Sequence, residues 1–191
     1  MNYYIKRMSE FSEEKKKDYL KFLDTEKRKQ YLSSSNENRK NSILLSQGFA
    51  KEKIGELFSI DKKDIIFSVT ESGKPYCKSH LGIHFSLSHS EDFLALAISD
   101  REVGIDIEKI REAKEKLIKR VCCENEKQKI FSSENPDKAF TEIWTKKEAY
   151  LKALGTGIDR ELTSIDTTDE KFSFVTEAND DFIVSVFSLC R

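Results

Sequence analysis

The chain has 191 residues, with 33 Lys and Arg against 34 Asp and Glu, for a formal net charge of −1. Hydrophobic residues make up 38% of the sequence and charged residues 35%, and 13 Phe and 6 Tyr supply the bulk of a packed core, which argues against a disordered chain. A nucleic-acid-binding protein usually has a basic excess, so we expect no nucleic-acid partner. Any anion site must therefore be a local cluster of Lys and Arg.

The cysteines and the apolar runs favour a cytoplasmic protein. Cys77, Cys122, Cys123 and Cys190 form no CxxC pair, and no His lies at zinc-site spacing, so we expect reduced thiols. The first ten residues lack the long apolar stretch of a signal peptide. No run approaches 18 apolar residues, so we expect no membrane span and no membrane partner.

The first half of the chain reads as helices followed by strands. Residues 2–8 favour a short strand, and residues 9–34 favour short amphipathic helices. Residues 36–60 predict a long helix that begins after Asn36 or Asn38. Its predicted buried side is Ile43, Leu44, Phe49, Ile54, Leu57 and Phe58. Residues 64–69 predict a strand, residues 70–76 a turn, and residues 82–90 and 91–99 a hairpin.

The second half repeats this order. Residues 102–110 predict a strand, residues 111–131 helical pieces, and residues 137–154 a long helix. Residues 171–177 and 181–189 predict a closing hairpin. We therefore predict an α+β fold of two similar halves, residues 1–101 and 102–191. Each half has a long helix packed on a small antiparallel sheet. Because no Pro, Gly or Ser linker separates them, we expect the halves to pack tightly.

The stretch "GIDIE", residues 104–108, places two acids at alternate strand positions. Asp106 and Glu108 therefore share one face, with Cα atoms about 6.6 Å apart at about 3.3 Å per residue. Two carboxylates at this spacing could bind one divalent ion, and oxygen ligands without Cys or His favour Mg²⁺ over zinc. The alternative is an edge strand with a solvated acidic face.

The stretch "WTKKEAYLKALGTGI", residues 144–158, contains a helical stripe that ends at glycine. Trp144, Glu148, Leu151, Lys152 and Gly155 follow helical spacing and lie along one side. Glu148 is thus a candidate third acid. Glu148 and Lys152 could instead form an ordinary surface pair, although Trp144 on the same stripe indicates that this side is at least half buried.

Two further positions have the chemistry of an anion site. His89 ends an alternating strand between Ser88 and Ser90, where it could bind a phosphate or be a hydrogen-bonded core histidine. Lys74 lies in the turn "GKP", where it could contact an anion or remain solvated.

These motifs occur in an order that resembles one enzyme family. "GKPY", "FSLSHS", "VGIDIE" and "WTKKEAYLKALGTGI" follow one another between residues 73 and 158. In this the chain resembles the 4′-phosphopantetheinyl transferases of the Sfp type. The resemblance implies two halves related by a pseudo-twofold axis, with coenzyme A bound in the cleft between them.

The resemblance also implies roles for particular residues. Asp106, Glu108 and Glu148 resemble the ligands of a Mg²⁺ ion on the pyrophosphate of coenzyme A. Lys152 matches a lysine that contacts the phosphates. Trp144 and Lys147 also match positions of the motif, where we expect the indole to pack and the lysine to have a supporting role. His89 resembles the residue that contacts the 3′-phosphate of coenzyme A, and Ser88 lies next to it in the sequence. Lys74 resembles a lysine that lies near the adenine. The basic residues carried over near the first long helix are Arg28 and Arg39.

The implied reaction transfers the 4′-phosphopantetheine arm of coenzyme A to a serine of an acyl or peptidyl carrier protein and releases 3′,5′-ADP. Asp106, Glu148 and Lys152 are the expected catalytic residues. Glu148 is expected to be the general base, either directly or through a water ligand of the metal. The partners implied are coenzyme A and a carrier protein, and two halves in one chain favour a monomer.

Two other classes of protein fit some of these residues. A Mg²⁺-dependent pyrophosphohydrolase could use the same three acids to cleave coenzyme A with water, without a carrier. A non-catalytic module could keep the cleft as a coenzyme A sensor, although such a site usually loses one of its acids.

Overall fold

The computed structural model describes residues 1–157 and 161–189, and every structural statement concerns these ranges. The strands are β1 (Asn2–Arg7), β2 (Phe67–Val69), β3 (Pro75–Cys77), β4 (His84–Ser90), β5 (Phe93–Ser99), β6 (Val103–Lys109), β7 (Phe174–Ala178) and β8 (Phe182–Ser188). The helices are α1 (Glu13–Lys21), α2 (Thr25–Ser33), α3 (Glu37–Phe58), α4 (Glu115–Val121), α5 (Glu124–Phe131) and α6 (Pro136–Leu154). The fold is therefore mixed α and β, as the sequence predicts.

The two larger sheets have the same connectivity. The first has the strand order β1-β5-β4 and the second the order β6-β8-β7, and all pairs are antiparallel. In the first sheet β5 lies in the middle and pairs with both β1 and β4. In the second sheet β8 lies in the middle and pairs with both β6 and β7. In each sheet the central strand is therefore the last one along the chain. Strands β2 and β3 form a separate two-stranded sheet.

The core is divided among the sheets and the two long helices. Alanines of β5 and aliphatic side chains of β6 and β8 form a cluster that joins the two larger sheets: Ala95, Ala97, Val103, Ile105, Ile107, Val184 and Val186. Helix α3 packs on β4 and β5 through Leu44, Leu45, Phe49 and Ile54. Helix α6 packs on β6 and β8. Burial of these apolar faces is the main driving force for this arrangement.

The long helices begin and end where their sequences provide caps. Asn36 Oδ1 accepts a hydrogen bond from the Arg39 N–H at 3.0 Å, and Asn135 Oδ1 accepts one from the Lys138 N–H at 3.0 Å. Pro136 occupies the first turn of α6. Helix α6 ends at Gly155, whose φ of 69° is a left-handed conformation that glycine adopts without strain.

Gly104 allows α6 to lie directly against β6. A Cβ atom built at Gly104 would lie 1.9 Å from Ala149 O and 2.5 Å from Ala153 N, both in the helix backbone. We expect Gly104→Ala to lower the free energy of unfolding by about 1–3 kcal/mol, because the helix must move outward. Urea denaturation measures this loss. Gly82→Ala is the control, since nothing lies within 4 Å of a Cβ at Gly82. Equal stability of both variants would contradict this packing.

The structure differs from the sequence prediction at the end of α3. Leu57 and Phe58 were predicted to be buried, but they are 39% and 45% exposed, so this prediction is wrong. Helix α3 ends at Ser59, which has a left-handed conformation, and Ile65 farther along the chain is fully buried instead. The strand predicted over residues 64–69 is limited to Phe67–Val69, and the predicted turn over residues 70–76 includes the beginning of β3. Short strands are poorly marked in a sequence because three residues show little periodicity.

Within the described ranges, no helix has both the length and the apolar composition needed to cross a membrane.

Candidate functional site

The candidate site lies where the two larger sheets meet. Strand β4 is an edge strand of the first sheet, and β6 is an edge strand of the second. Helix α6 crosses β6 and brings its Glu148 and Lys152 side chains to the same place. The helical stripe predicted from the sequence therefore faces the acidic strand.

Asp106 is buried at the centre of this site, with 5% of its surface exposed. Its Oδ1 accepts hydrogen bonds from Ser88 Oγ and from Lys152 Nζ, both at 2.7 Å. Burial raises the pKa of Asp106 above its ordinary value, although Lys152 and Ser88 oppose that rise. Its Oδ2 is buried without a hydrogen-bond partner among the described residues. A buried carboxylate oxygen without a partner is costly, and a cation would satisfy it.

Glu108 is held by one partner on each carboxylate oxygen. Ser90 Oγ donates to Oε2 at 2.9 Å, and the Arg111 guanidinium lies 2.7 Å from Oε1. The same guanidinium lies 5.5 Å from the centre of the Trp144 ring. Trp144 therefore packs beside the site, as the sequence predicts.

Glu148 lies close to both strand acids. Burial raises the pKa of Glu148, and the negative charge of Asp106 raises it further. Lys152 and Arg111 lower it, and Glu108 makes a smaller contribution that raises it. The fold thus brings three acids close together, although Glu148 lies 40 positions after Glu108 in the chain.

The ligand atoms of these acids do not all lie within 4.8 Å of one another, and among the described residues only Cys123, Glu126 and Asp166 do so. In that second group Glu126 already contacts Lys147 Nζ at 2.7 Å, so a cation there would have to displace an ammonium group. The partnerless oxygen of Asp106 makes the first group the better fit for Mg²⁺, since Mg²⁺ is usually bound by one or two carboxylates.

A cavity of about 220 Å³ opens beside Glu148 and Lys152. The turn that contains Lys74, the strand residues Phe85 and Leu87, and Gly155 complete its wall. The cavity therefore combines an apolar wall with the charged groups of α6, a combination typical of a site for an organic ligand.

A second cavity, of about 630 Å³, is lined by two of the basic residues that the sequence predicts as contacts of coenzyme A. Arg39 and His89 both line it, and Phe85 and Leu87 line both cavities. Lys27 also lines the second cavity, although it is not among the site residues predicted from the sequence. It lies next to Arg28 in the sequence, and spacing alone did not determine which of the two faces the cavity.

Arg28 lies elsewhere. Its guanidinium donates to Leu20 O at 2.5 Å, at the C-terminal end of α1, and Arg28 does not line the cavity that contains Arg39 and His89. A cation at the C-terminus of a helix stabilises the helix by satisfying its free carbonyl groups. In this structure Arg28 therefore connects α2 to α1.

Lys74 and Ser88 line or approach the site but already have protein partners. Lys74 Nζ donates to Ala153 O at 2.8 Å and pairs with Glu102. It thus ties the "GKP" turn to the end of α6. Ser88 is directed at Asp106, whereas the exposed His89 lies on the opposite face of β4.

Lys147 occupies a buried ion pair that the sequence analysis did not predict. Lys147 is 1% exposed and Glu126 is 0% exposed. Besides Glu126, Lys147 Nζ contacts Leu162 O at 2.7 Å and the carbonyl oxygen of Ile165. Glu126 Oε1 accepts hydrogen bonds from the backbone and the hydroxyl of Thr167. The pair joins α5, α6 and the segment after α6, so Lys147 supports the helix that presents Glu148.

The thiol of Cys122 lies next to this ion pair in a fully buried position. Burial raises the pKa of Cys122 from an ordinary value of 9.0 to about 12. Cys77 and Cys123 are free thiols, and Cys190 lies outside the described residues.

This raised pKa predicts a loss of stability in alkaline solution. Between about pH 9 and pH 12 the unfolded chain loses the thiol proton while the folded protein keeps it. The free energy of unfolding should therefore fall by up to about 1.4 kcal/mol per pH unit from this group. Urea denaturation at several pH values should show a shallower decline for Cys122→Ala than for wild type. Parallel declines would contradict the prediction.

Comparisons with known proteins agree with the motifs. Residues 102–187 match the model of the 4′-phosphopantetheinyl transferase superfamily. The chain is 34% identical over 123 residues to "4′-phosphopantetheinyl transferase psf-1" of Bacillus pumilus, which covers 63% of this chain and 53% of that protein. It is 28% identical over 155 residues to "4′-phosphopantetheinyl transferase Sfp" of Bacillus subtilis, which covers 80% of this chain and 69% of that protein.

A solved structure is also similar in part. The Thermotoga maritima holo-[acyl-carrier-protein] synthase (AcpS) matches 46% of this chain and 62% of its own, with 21% sequence identity and a TM-score of 0.39. The chain spans about half the length of the first relatives it matches. The matched residues 102–187 contain Asp106, Glu108, Glu148 and Lys152. Over this segment the chain is therefore similar to 4′-phosphopantetheinyl transferases, including Sfp and psf-1.

Proposed function

We propose that the protein transfers the 4′-phosphopantetheine arm of coenzyme A to a serine of an acyl or peptidyl carrier protein, in a Mg²⁺-dependent reaction that releases 3′,5′-ADP. The observation that carries this proposal is the meeting of Asp106, Glu148 and Lys152 beside a cavity, within the segment that matches the family. Acids and a lysine beside an apolar wall suit a ligand with a pyrophosphate and an organic arm.

The bonds change as follows. The carrier serine oxygen forms a bond to the β-phosphorus of coenzyme A. The bond from that phosphorus to the bridging oxygen of the pyrophosphate breaks, and 3′,5′-ADP leaves with the electron pair. Glu148 accepts the serine proton in this proposal. Its place in the wall of the cavity, close to Asp106, supports this role.

Lys152 is proposed to stabilise the leaving phosphate. Its ammonium group has three N–H donors, and in the structure it contacts Asp106 Oδ1 at 2.7 Å and Ile105 O at 3.1 Å. A third donor remains for an anion, and 30% of the side chain is exposed. Mg²⁺ held by Asp106, Glu108 and Glu148 would neutralise negative charge on the pyrophosphate.

The second cavity is the proposed place for the adenosine end. Arg39, His89 and Lys27 would face the 3′-phosphate there, and Phe85 and Leu87 give a wall that continues into the first cavity. Lys74 and Ser88 are proposed as nearer contacts of coenzyme A. Lys74 would first leave the partners it has in the structure, whereas Ser88 would keep its hydrogen bond to Asp106. Arg28 has less support, because its guanidinium already stabilises the end of α1.

We also propose that residues 1–101 and 102–191 are two halves related by a pseudo-twofold axis, in a monomer. The identical connectivity of the two larger sheets supports this arrangement. Buried lysines give further support, since Lys51 of α3 pairs with Asp24 at 2.7 Å and Lys147 of α6 pairs with Glu126 at 2.7 Å. In each half a lysine of the long helix thus binds an acid that precedes the helix.

The dependence of 3′,5′-ADP release on a carrier tests the reaction class. We expect release from coenzyme A and Mg²⁺ only when an apo carrier protein is present, and none when the carrier serine is replaced by alanine. Chromatography of the nucleotide products measures this. Equal release without a carrier would instead indicate a pyrophosphohydrolase.

A further inference from the structure

Three serines of β4 bridge the two larger sheets without any backbone pairing between them. Ser86, Ser88 and Ser90 lie at alternate positions, so their side chains point to one face. That face meets β6, although β4 and β6 belong to different sheets. We call these residues the serine ladder.

Each serine of the ladder binds a different residue of β6 or its end. Ser86 Oγ accepts a hydrogen bond from the Ile105 N–H at 3.1 Å. Ser88 Oγ donates to Asp106 Oδ1 at 2.7 Å. Ser90 Oγ donates to Glu108 Oε2 at 2.9 Å and accepts from the Lys109 N–H at 3.3 Å. The partners advance along β6 as the serines advance along β4, so the hydroxyl groups fix one register between the strands.

We propose that the serine ladder sets this register and positions the two strand carboxylates for a divalent cation, with Ser90 as the positioning residue for Glu108. This inference rests on the proposed function, because it assumes that Asp106 and Glu108 bind the metal. Its test concerns Ser90, whose hydroxyl group touches a carboxylate rather than substrate. A serine suits this task because one hydroxyl group can donate to a carboxylate and accept from a backbone N–H at the same time.

Ser90 is the member whose effect can be isolated. It is partly exposed, so a loss at this position leaves the core intact. Ser90 and Arg111 hold one oxygen of Glu108 each, and together they fix the plane of the carboxylate. Without Ser90, Arg111 alone would hold Glu108, by one oxygen, and the plane of the carboxylate would no longer be fixed. Loss of a hydrogen-bonding partner of a metal ligand typically lowers metal affinity by about 10- to 100-fold.

Mn²⁺ replaces Mg²⁺ as the probe, because the binding of Mn²⁺ can be measured by electron paramagnetic resonance. With coenzyme A present, we expect Ser90→Ala to raise the Kd for Mn²⁺ by about 10-fold or more, with an unchanged melting temperature. Ser90→Thr keeps the hydroxyl group and should restore binding to within a few-fold of wild type. Ser99→Ala is the matched control, since Ser99 is a buried strand serine that contacts Asp100 and Arg101 rather than the acids.

The outcomes separate the two proposals. An unchanged Kd for Ser90→Ala, with tight Mn²⁺ binding by wild type, would overturn the role of Ser90 and leave the proposed function in place. An equal loss in Ser90→Ala and Ser90→Thr would also overturn it, because the hydroxyl group would not be responsible. No Mn²⁺ binding by wild type, together with no transfer to a carrier, would overturn the proposed function and the ladder's role with it.

Discussion

Asp106→Asn is expected to lower the rate of the proposed phosphopantetheine transfer by about 10²- to 10³-fold and to leave the protein folded. The substitution removes the charge of the most central acid of the site while keeping its shape. Lys152 would then lose the carboxylate that it contacts at 2.7 Å, and the proposed metal would lose a ligand. Loss of one preorganised charged contact to a reacting phosphate costs a rate factor of this order.

The folded protein should tolerate this change well. Burial raises the pKa of Asp106, which means that the folded protein disfavours the charged form of this side chain. A neutral amide of the same shape removes that cost, and the exposed part of Lys152 can turn to solvent. We therefore expect the melting temperature of Asp106→Asn to equal or exceed that of wild type. Circular dichroism melting curves measure it.

Asp180→Asn provides the control for this experiment, because Asp180 is exposed in the turn between β7 and β8. Its transfer rate should equal that of wild type. Wild-type transfer by Asp106→Asn would show that the carboxylate is not part of the reaction. A large fall in its melting temperature would show that the lost activity reflects unfolding rather than chemistry.

Lys147→Met is expected to lower the free energy of unfolding by about 3–5 kcal/mol. The substitution leaves Glu126, which has no exposed surface, without the ammonium group 2.7 Å away. The carbonyl groups of Leu162 and Ile165 lose a donor as well. Breaking a buried ion pair from one side costs more than the pair itself contributes, because a buried charge remains without compensation.

The double substitution Lys147→Met/Glu126→Gln tests this reason. We expect it to recover part of the loss, since the remaining buried group is neutral. Lys146→Met is the control on the same helix: its ammonium pairs with Glu142, and this pair is partly accessible to water, so a smaller loss is expected. Urea denaturation measures all three variants. A double variant no more stable than Lys147→Met would contradict the uncompensated charge of Glu126 as the cause of the loss.

The sequence predicted the long elements of the fold, and for the same reason it indicated which acids share a face at the candidate site. The helices that contain Asn36 and Asn135 as caps have clear start signals, and the alternation of β4 and β6 is regular. Alternation also put Asp106 and Glu108 on one face, and helical spacing put Glu148 beside Lys152. These relations are local in the chain, so a pattern can reveal them.

Relations between distant segments were harder to predict. Glu126 reads as an ordinary surface acid because its partner Lys147 lies 21 positions later, on another helix. Arg28 and its neighbour Lys27 look alike in sequence, but one binds the end of α1 and the other lines a cavity. The serine ladder was visible as alternation, but its partners on β6 depend on how the two sheets meet, which no local pattern specifies.

The intact mass of an apo carrier protein tests the central claim most directly. The carrier is incubated with the protein, coenzyme A and Mg²⁺, and parallel samples omit the metal or contain Asp106→Asn. Our account predicts a gain of one phosphopantetheine arm per carrier in the complete sample, and almost none in the other two. An unchanged carrier mass in the complete sample, while coenzyme A is cleaved to 3′,5′-ADP, would contradict it.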